Sequence, residues 1–295
     1  MKKLSRILAP TDFSAGGIRA LTHASAVAAR SGAELHVLHV RVFNRNIYGW
    51  AAIPNVEEVE RIIADRARQD MDNAIEGLSP AVVHDVVADT KAAPAILRYV
   101  DKHDIDLIVM GTQARKGIGR MVLGSVTAEV LRHTPTSVLA IGPEHAVPDD
   151  QYQQILAPVD FSGSATASLQ QASAIARQHQ AQLSVMHSIE PNASMAFYGL
   201  DEPSEGMRQH AARALDELLA TTELAQAPES KRIVTGPAED QIVAQAREQH
   251  SDLIVMGTVG LSGLERLLVG STTERVLRKA PCAVLAHRGA VWENL

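Results

Sequence analysis

The sequence predicts an α/β protein of two tandem, doubly wound domains, each with a five-stranded parallel sheet flanked by helices. Three observations carry that prediction. The chain nearly repeats itself at an offset of 146 to 148 residues, short apolar runs alternate with helical spacings inside each repeat, and glycines fall where apolar runs end.

The repeat is explicit. RILAPTDFS at 6–14 returns as QILAPVDFS at 154–162, and DLIVMGT at 106–112 returns unchanged at 252–258. Gly124-Ser125 matches Gly270-Ser271, and Val130-Leu131-Arg132 matches Val276-Leu277-Arg278. Two domains follow, residues 1–145 and 152–295, joined through GPEHAVPDDQ at 142–151, whose turn and charged residues read as a linker.

Within the first copy, the apolar runs at 7–9, 35–40, 82–87, 107–110 and 137–141 have the length of buried strands. Ile18, Leu21, Ser25 and Ala28 lie at helical spacing after the first run, and Val59, Ile62, Ile63, Ala67 and Ala74 after the second. Ile96, Tyr99 and Val100 follow the third run, and Val126, Val130 and Leu131 the fourth. Such a sheet binds ligands outside the carboxyl ends of its strands, where strand order reverses. Asp12 and Asp160, Gly111 and Gly257 stand at those ends. The closing runs at 137–141 and 283–287 are expected to pair the two halves with each other, which removes two open edges at once. The irregular stretches at 41–55 and 190–205 hold Tyr48, Trp50, Phe197 and Tyr198, read equally as covers for a ligand or partner and as anchors on their own domain.

Composition narrows the function. The net charge of −6 divides into +1 over residues 1–148 and −7 over 149–295, which argues against nucleic acid. Cations are scarce in the second half, so a polyphosphate there must be held by backbone N–H groups, with or without a metal. No run of eighteen apolar residues predicts a membrane span. A lone cysteine, Cys282, fits a reducing compartment, and a cytoplasmic location is expected.

The stretch from Val255 to Lys279 carries the chemistry. Its apolar run stops at Gly257, Gly260 follows, and Gly270-Ser271-Thr272-Thr273 opens a helix. Glycines admit close approach of backbone to a ligand, and the free amides of a first helical turn attract an anion. The hydroxyls at 271 and 272 are also expected to cap that turn. Neither GxxxxGK[ST] nor GxGxxG is present.

Together, IL-A-P-x-D-F-S at each domain start, strand-MGT, G-x2-G-x9-G-S-T and a closing P-x-x-V-L strand resemble the universal stress protein (UspA-like) family in its tandem form. The resemblance spans essentially the whole chain. Family members with the full glycine pattern are similar to nucleotide binders, usually of ATP, often with a divalent ion such as Mg2+ or Mn2+. Carried over to the second copy, the resemblance implies that Ala157, Pro158 and Asp160 meet the adenosine. It sets Ser188 beside the base and Met256 and Gly257 along the ribose. Gly260, Gly270, Ser271, Thr272 and Thr273 hold the phosphates.

In the first copy Asp12, Val40, Met110, Gly111, Gly124, Ser125, Val126 and Thr127 match, but Ala114 replaces the second glycine and Thr90 stands opposite Gly236. That site is read as weakened or altered in ligand. Arg115, Lys116, Arg120 and Arg266 lie near the loops as solvated cations or phosphate contacts. Asp160 is also explicable as an Asx turn that starts a helix. The histidines show no zinc spacing, and no dedicated metal site is expected. With no HIGH, KMSKS or SGGxDS stretch, the leading function is a non-enzymatic, ATP-binding stress protein that acts through nucleotide-dependent shape or partners. A slow ATPase and a nucleotide-independent scaffold are the alternatives, and a homodimer is expected.

Overall fold

A computed structural model describes residues 2–42, 56–78, 81–112, 123–142, 151–190, 203–258 and 269–295. The first half runs β1 (Arg6–Pro10), α1 (Ala15–Ser31), β2 (Glu34–Val42), α2 (Val56–Ile75), β3 (Val82–Asp89), α3 (Ala92–Lys102), β4 (Leu107–Gly111), α4 (Ser125–His133) and β5 (Ser137–Ile141). The second half repeats it as β6 (Gln154–Pro158), α5 (Gly163–His179), β7 (Gln182–Ile189), α6 (Glu205–Thr221), β8 (Ser230–Thr235), α7 (Ala238–Glu248), β9 (Leu253–Gly257), α8 (Ser271–Lys279) and β10 (Ala283–His287).

Each half forms a parallel five-stranded sheet, and the two fuse into one ten-stranded sheet of order β3-β2-β1-β4-β5-β10-β9-β6-β7-β8. The fusion is the one antiparallel pairing in that sheet: Val284 faces Ala140, Leu285 faces Leu139 and Ala286 faces Val138. The expected pairing of the closing strands is therefore present, and both are buried throughout. In each half the order reverses between the first and fourth strands, which pair through two residues on each side, Ile7–Leu8 with Leu107–Ile108 and Ile155–Leu156 with Leu253–Ile254. The chains diverge beyond those pairs and open a crevice at the carboxyl ends.

Alternation along the strands feeds two apolar layers. Ile7, Ala9, Ile155, Ala157 and Val255 point to the layer under α1 and α5, while Leu8, Leu156, Ile254 and Met256 point to the layer under α3, α4, α7 and α8. Both layers run unbroken across the two halves.

The first layer is closed by the chain's final residues. Trp292 and Leu295 are buried, and Lys2 forms a bridge with Trp292. Asn294 Nδ2 donates to Leu4 O and Ser31 O in the first half, while Gln171 Oε1 on α5 accepts from Trp292 N at 2.7 Å. Across the seam, the Arg288 guanidinium donates to Thr258 Oγ1 and to the carbonyls of Leu131 and Thr134 at the end of α4. It thereby satisfies carbonyls that a helix end leaves without partners.

Candidate functional site

The crevice in the second half begins with the turn after β6. Ser162 caps α5, its Oγ accepting from Ala165 N at 3.2 Å. Asp160 Oδ1 in turn accepts from Ser162 N at 3.0 Å and from Ser162 Oγ at 2.5 Å. The Asx-turn reading of Asp160 therefore holds, and the same residue lines the crevice. Between them Phe161 takes φ of 62°, a left-handed conformation that costs about 1–3 kcal/mol in a non-glycine residue. His187 holds it there. Its ring lies 4.4 Å from the Phe161 ring, and Nδ1 bonds to Val159 O at 2.8 Å.

The strand-end glycine serves the fold. A Cβ on Gly257 would lie 2.6 Å from Ser164 Oγ and 3.0 Å from Ser164 O, because the start of α5 rests against it. Gly111 meets the backbone of Gly16 in the same way, at 2.7 Å. Gly270 is different. Its φ of −56° suits any residue, and a Cβ there would meet nothing nearer than Thr258 O at 3.5 Å. Neither backbone conformation nor packing against the described residues demands glycine at 270, which leaves room for a ligand as its reason.

Helix α8 departs from the expected capping. Its N-cap is Gly270, which has no side chain to cap the turn, and Ser271 and Thr272 already lie inside the helix. Thr273 spends its hydroxyl on Gly257 O at 2.9 Å, which ties α8 to the end of β9. The amides of Ser271, Thr272 and Thr273 therefore open a helix without the side-chain cap that α5 receives from Ser162. An uncapped first turn is the local geometry that attracts an anion.

These parts converge. Pro158, Asp160, Ser188, Met256, Gly257, Gly270, Ser271, Thr272 and Thr273 line one cavity of about 310 Å³. Ala157 is a correction: it lies one residue before the turn, and strand alternation buries it in the core at 1% exposure. Gly260 falls outside the described residues, as do Ala114, Arg115, Lys116, Arg120, Arg266 and the four loop aromatics. Several lining residues were missed by sequence reasoning, notably His187, Glu190 and Ile242. His187 and Ile242 had a signal, since His39 and Ile96 stand at their repeat positions. Glu190 Oε1 accepts from Ala238 N at 2.6 Å and so caps α7 from a distance. Ser188 Oγ donates to the carbonyl of Gly236, whose φ of 128° favours glycine.

The first half builds the same frame around a smaller space. Asp12, Val40, Met110, Gly111, Gly124, Ser125, Val126 and Thr127 line a cavity of about 140 Å³, with Leu38 and Ile96 among its other walls. Opposite Gly236 the chain takes another route. Asp89 Oδ1 accepts from Thr90 N and Lys91 N, so no positive-φ residue is needed before α3.

His36 and His39 are tied into the fold. His36 Nδ1 meets Tyr99 Oη at 3.0 Å on α3, while His39 Nδ1 bonds to Thr11 O at 2.8 Å. Among the described residues no group of three His, Cys, Asp or Glu side chains is placed to hold a metal ion. No described helix is long and apolar enough to cross a membrane.

The duplicated crevice, the glycine-ended strands and the seam set the fold beside a known group of proteins. The sequence profile of the universal stress protein family matches residues 3–142 and, a second time, residues 151–288. The chain belongs to the universal stress protein family. A universal stress protein of Mycobacterium tuberculosis is 28% identical over 260 residues, covering 84% of this chain and 86% of that protein. A universal stress protein of Methanocaldococcus jannaschii is 30% identical over 145 residues, covering 46% of this chain and 82% of its own length. The crystal structure of a universal stress protein from Archaeoglobus fulgidus superposes with a TM-score of 0.65 at 19% identity, covering 97% of this chain and 99% of that one, a likeness of fold. The match to the mycobacterial relative thus spans both halves, and the match to the Methanocaldococcus jannaschii protein spans about one half.

Proposed function

We propose that the second half of this universal stress protein binds an adenine nucleotide, ATP with Mg2+ or Mn2+, and acts in the stress response through nucleotide-dependent shape or partners. Hydrolysis is absent or very slow, and the nucleotide works as a bound signal. The observation that carries this reading is the first turn of α8. Its N-cap, Gly270, gives the amides of Ser271, Thr272 and Thr273 no side-chain cap, and those residues share a cavity of about 310 Å³ with Asp160 and Gly270. Only the second copy holds the full glycine pattern in sequence. The divalent ion comes with the phosphates, since the described residues gather no ligand cluster of their own. His187 lines the cavity with Nδ1 committed to Val159 O, a role in holding the turn. The active unit is a homodimer.

The test is direct. The protein is purified without added nucleotide, denatured, and the released material chromatographed. One adenine nucleotide per chain, lost in Gly270→Val and kept in Gly124→Val, supports a single working site in the second half. Two per chain means that the first half also binds. No release, with no heat on titrating Mg-ATP, overturns the nucleotide reading in favour of a scaffold built on the seam.

A further inference from the structure

The start of α8 carries a charge that works against an anion. Glu274 lies in the first turn of that helix, directly after Ser271, Thr272 and Thr273. A carboxylate so near would repel the phosphates that those amides attract, in the half of the chain that already holds a net charge of −7. Two guanidiniums are set against it. Arg278, four residues on along α8, donates from Nη2 to Glu274 Oε1 at 2.5 Å. Arg132, in the last turn of α4 in the first half, donates from Nη2 to the same oxygen at 3.2 Å. The Arg278 bond first, and then the Arg132 charge, hold the Glu274 carboxyl below the usual carboxylate range.

The internal repeat shows that this contact is particular to one side. Arg132 and Arg278 are repeat partners, so a symmetric seam would give each an acid on the helix across from it. The position that pairs with Glu274 is Ala128. One carboxylate therefore collects both arginines, and only the first turn of α8 needs them. The first half's α4 begins with no acid in its first turn.

We propose that Arg132 is a positioning residue for the other half's site: by neutralising Glu274 across the seam, it keeps the start of α8 favourable to phosphate. This rests on the nucleotide reading above. The effect acts on phosphates and not on the nucleoside, and it depends on the carboxylate at 274. With both side chains partly exposed, water and salt screen it.

The experiment titrates ATP, ADP, AMP and adenosine into the full chain by calorimetry at low and at moderate salt, for wild type, Arg132→Gln, Glu274→Gln and the double variant. The expected result is that Arg132→Gln weakens ATP roughly three- to tenfold at low salt, ADP less, and adenosine not at all. The loss shrinks at moderate salt, and the double variant binds ATP at least as well as wild type. Stoichiometry keeps the two halves apart, and a melting curve checks that each variant folds. If Arg132→Gln binds ATP as wild type does, or weakens adenosine and ATP alike, the inference is overturned while the nucleotide reading stands. If the double variant stays as weak as Arg132→Gln, charge compensation through Glu274 is overturned. A wild-type chain that binds none of the four ligands overturns both.

Discussion

The two halves share the bonds that frame the crevice and differ in the side chains that face into it. Ser14 and Ser162 cap α1 and α5, Thr127 and Thr273 tie the last helices to Gly111 and Gly257, and His39 and His187 brace the two Phe turns. Against that, Val40 stands for Ser188, Val126 for Thr272 and Val42 for Glu190. The cavity shrinks from about 310 to about 140 Å³. Frame residues are bound twice over, since removing any of them leaves a buried backbone group unpaired or a helix uncapped. Among the lining residues, those that also hold the frame, such as Asp160 and Thr273, are shared, and the copies have moved apart at positions such as 188 and 272.

The largest way to test that division is at the strand-end glycines. Gly111→Ala sets a methyl 2.7 Å from the backbone of Gly16, which cannot rotate away. A loss of about 3 kcal/mol in unfolding free energy is expected. Gly257→Ala first meets the rotatable hydroxyl of Ser164, so a smaller loss, about 2 kcal/mol, should appear in denaturant titration.

The seam offers a test of similar size. His287 occupies the position that Ile141 fills in the first half, both buried in the paired strands. Its Nδ1 lies 3.3 Å from Ser137 Oγ, and its Nε2 is buried without a partner among the described residues. Burial lowers its pKa from the ordinary 6.5 to about 4. As pH falls, the unfolded chain therefore takes up the proton before the folded one does. The stability from a neutral His287 is whole above about pH 6.5 and is lost progressively down to about pH 4, by about 3 kcal/mol. His287→Ile, which makes the second strand like the first, should flatten melting temperature against pH across that window. An unchanged slope would place the proton uptake elsewhere.

Gly270→Val separates binding from folding. The described residues leave space for a side chain at 270, so stability should change by less than about 1 kcal/mol while nucleotide affinity falls about a hundredfold or more. Equal losses of stability and binding would return Gly270 to the frame. The smallest effect is expected from Ser188→Val, which copies the first half's lining. A few-fold loss of affinity follows from removing a crevice hydroxyl, tempered because Ser188 Oγ already donates to Gly236 O.

Much of this fold was legible in the sequence because duplication and periodicity are local signals. The repeated DLIVMGT and the apolar runs located the strands, and the open edges at 137–141 and 283–287 anticipated their pairing. The crevice was legible through its glycines, though not their separate reasons: Gly257 answers to Ser164 and Gly270 to nothing in the described protein. Ser271 and Thr272 were misread as caps because composition does not say where a helix begins, and Gly270 holds that place. Ala157 was misassigned by one step of strand alternation. Glu190 and Arg132 were invisible, since each acts on a residue 48 or 142 positions away.

The seam also sets a schedule for synthesis. The free edge of β5 is complete at Ile141, while its partner β10 begins at Ala283, some 140 residues later. At about 5–20 residues per second, that edge waits roughly 7–30 s on the ribosome before it is covered. Throughout that time a row of unpaired amides and carbonyls stands beside buried-type side chains, open to the same strand of a neighbouring nascent chain. A chain ending at residue 142 never receives its cover, and should recover it by pairing β5 with β5 of a second copy.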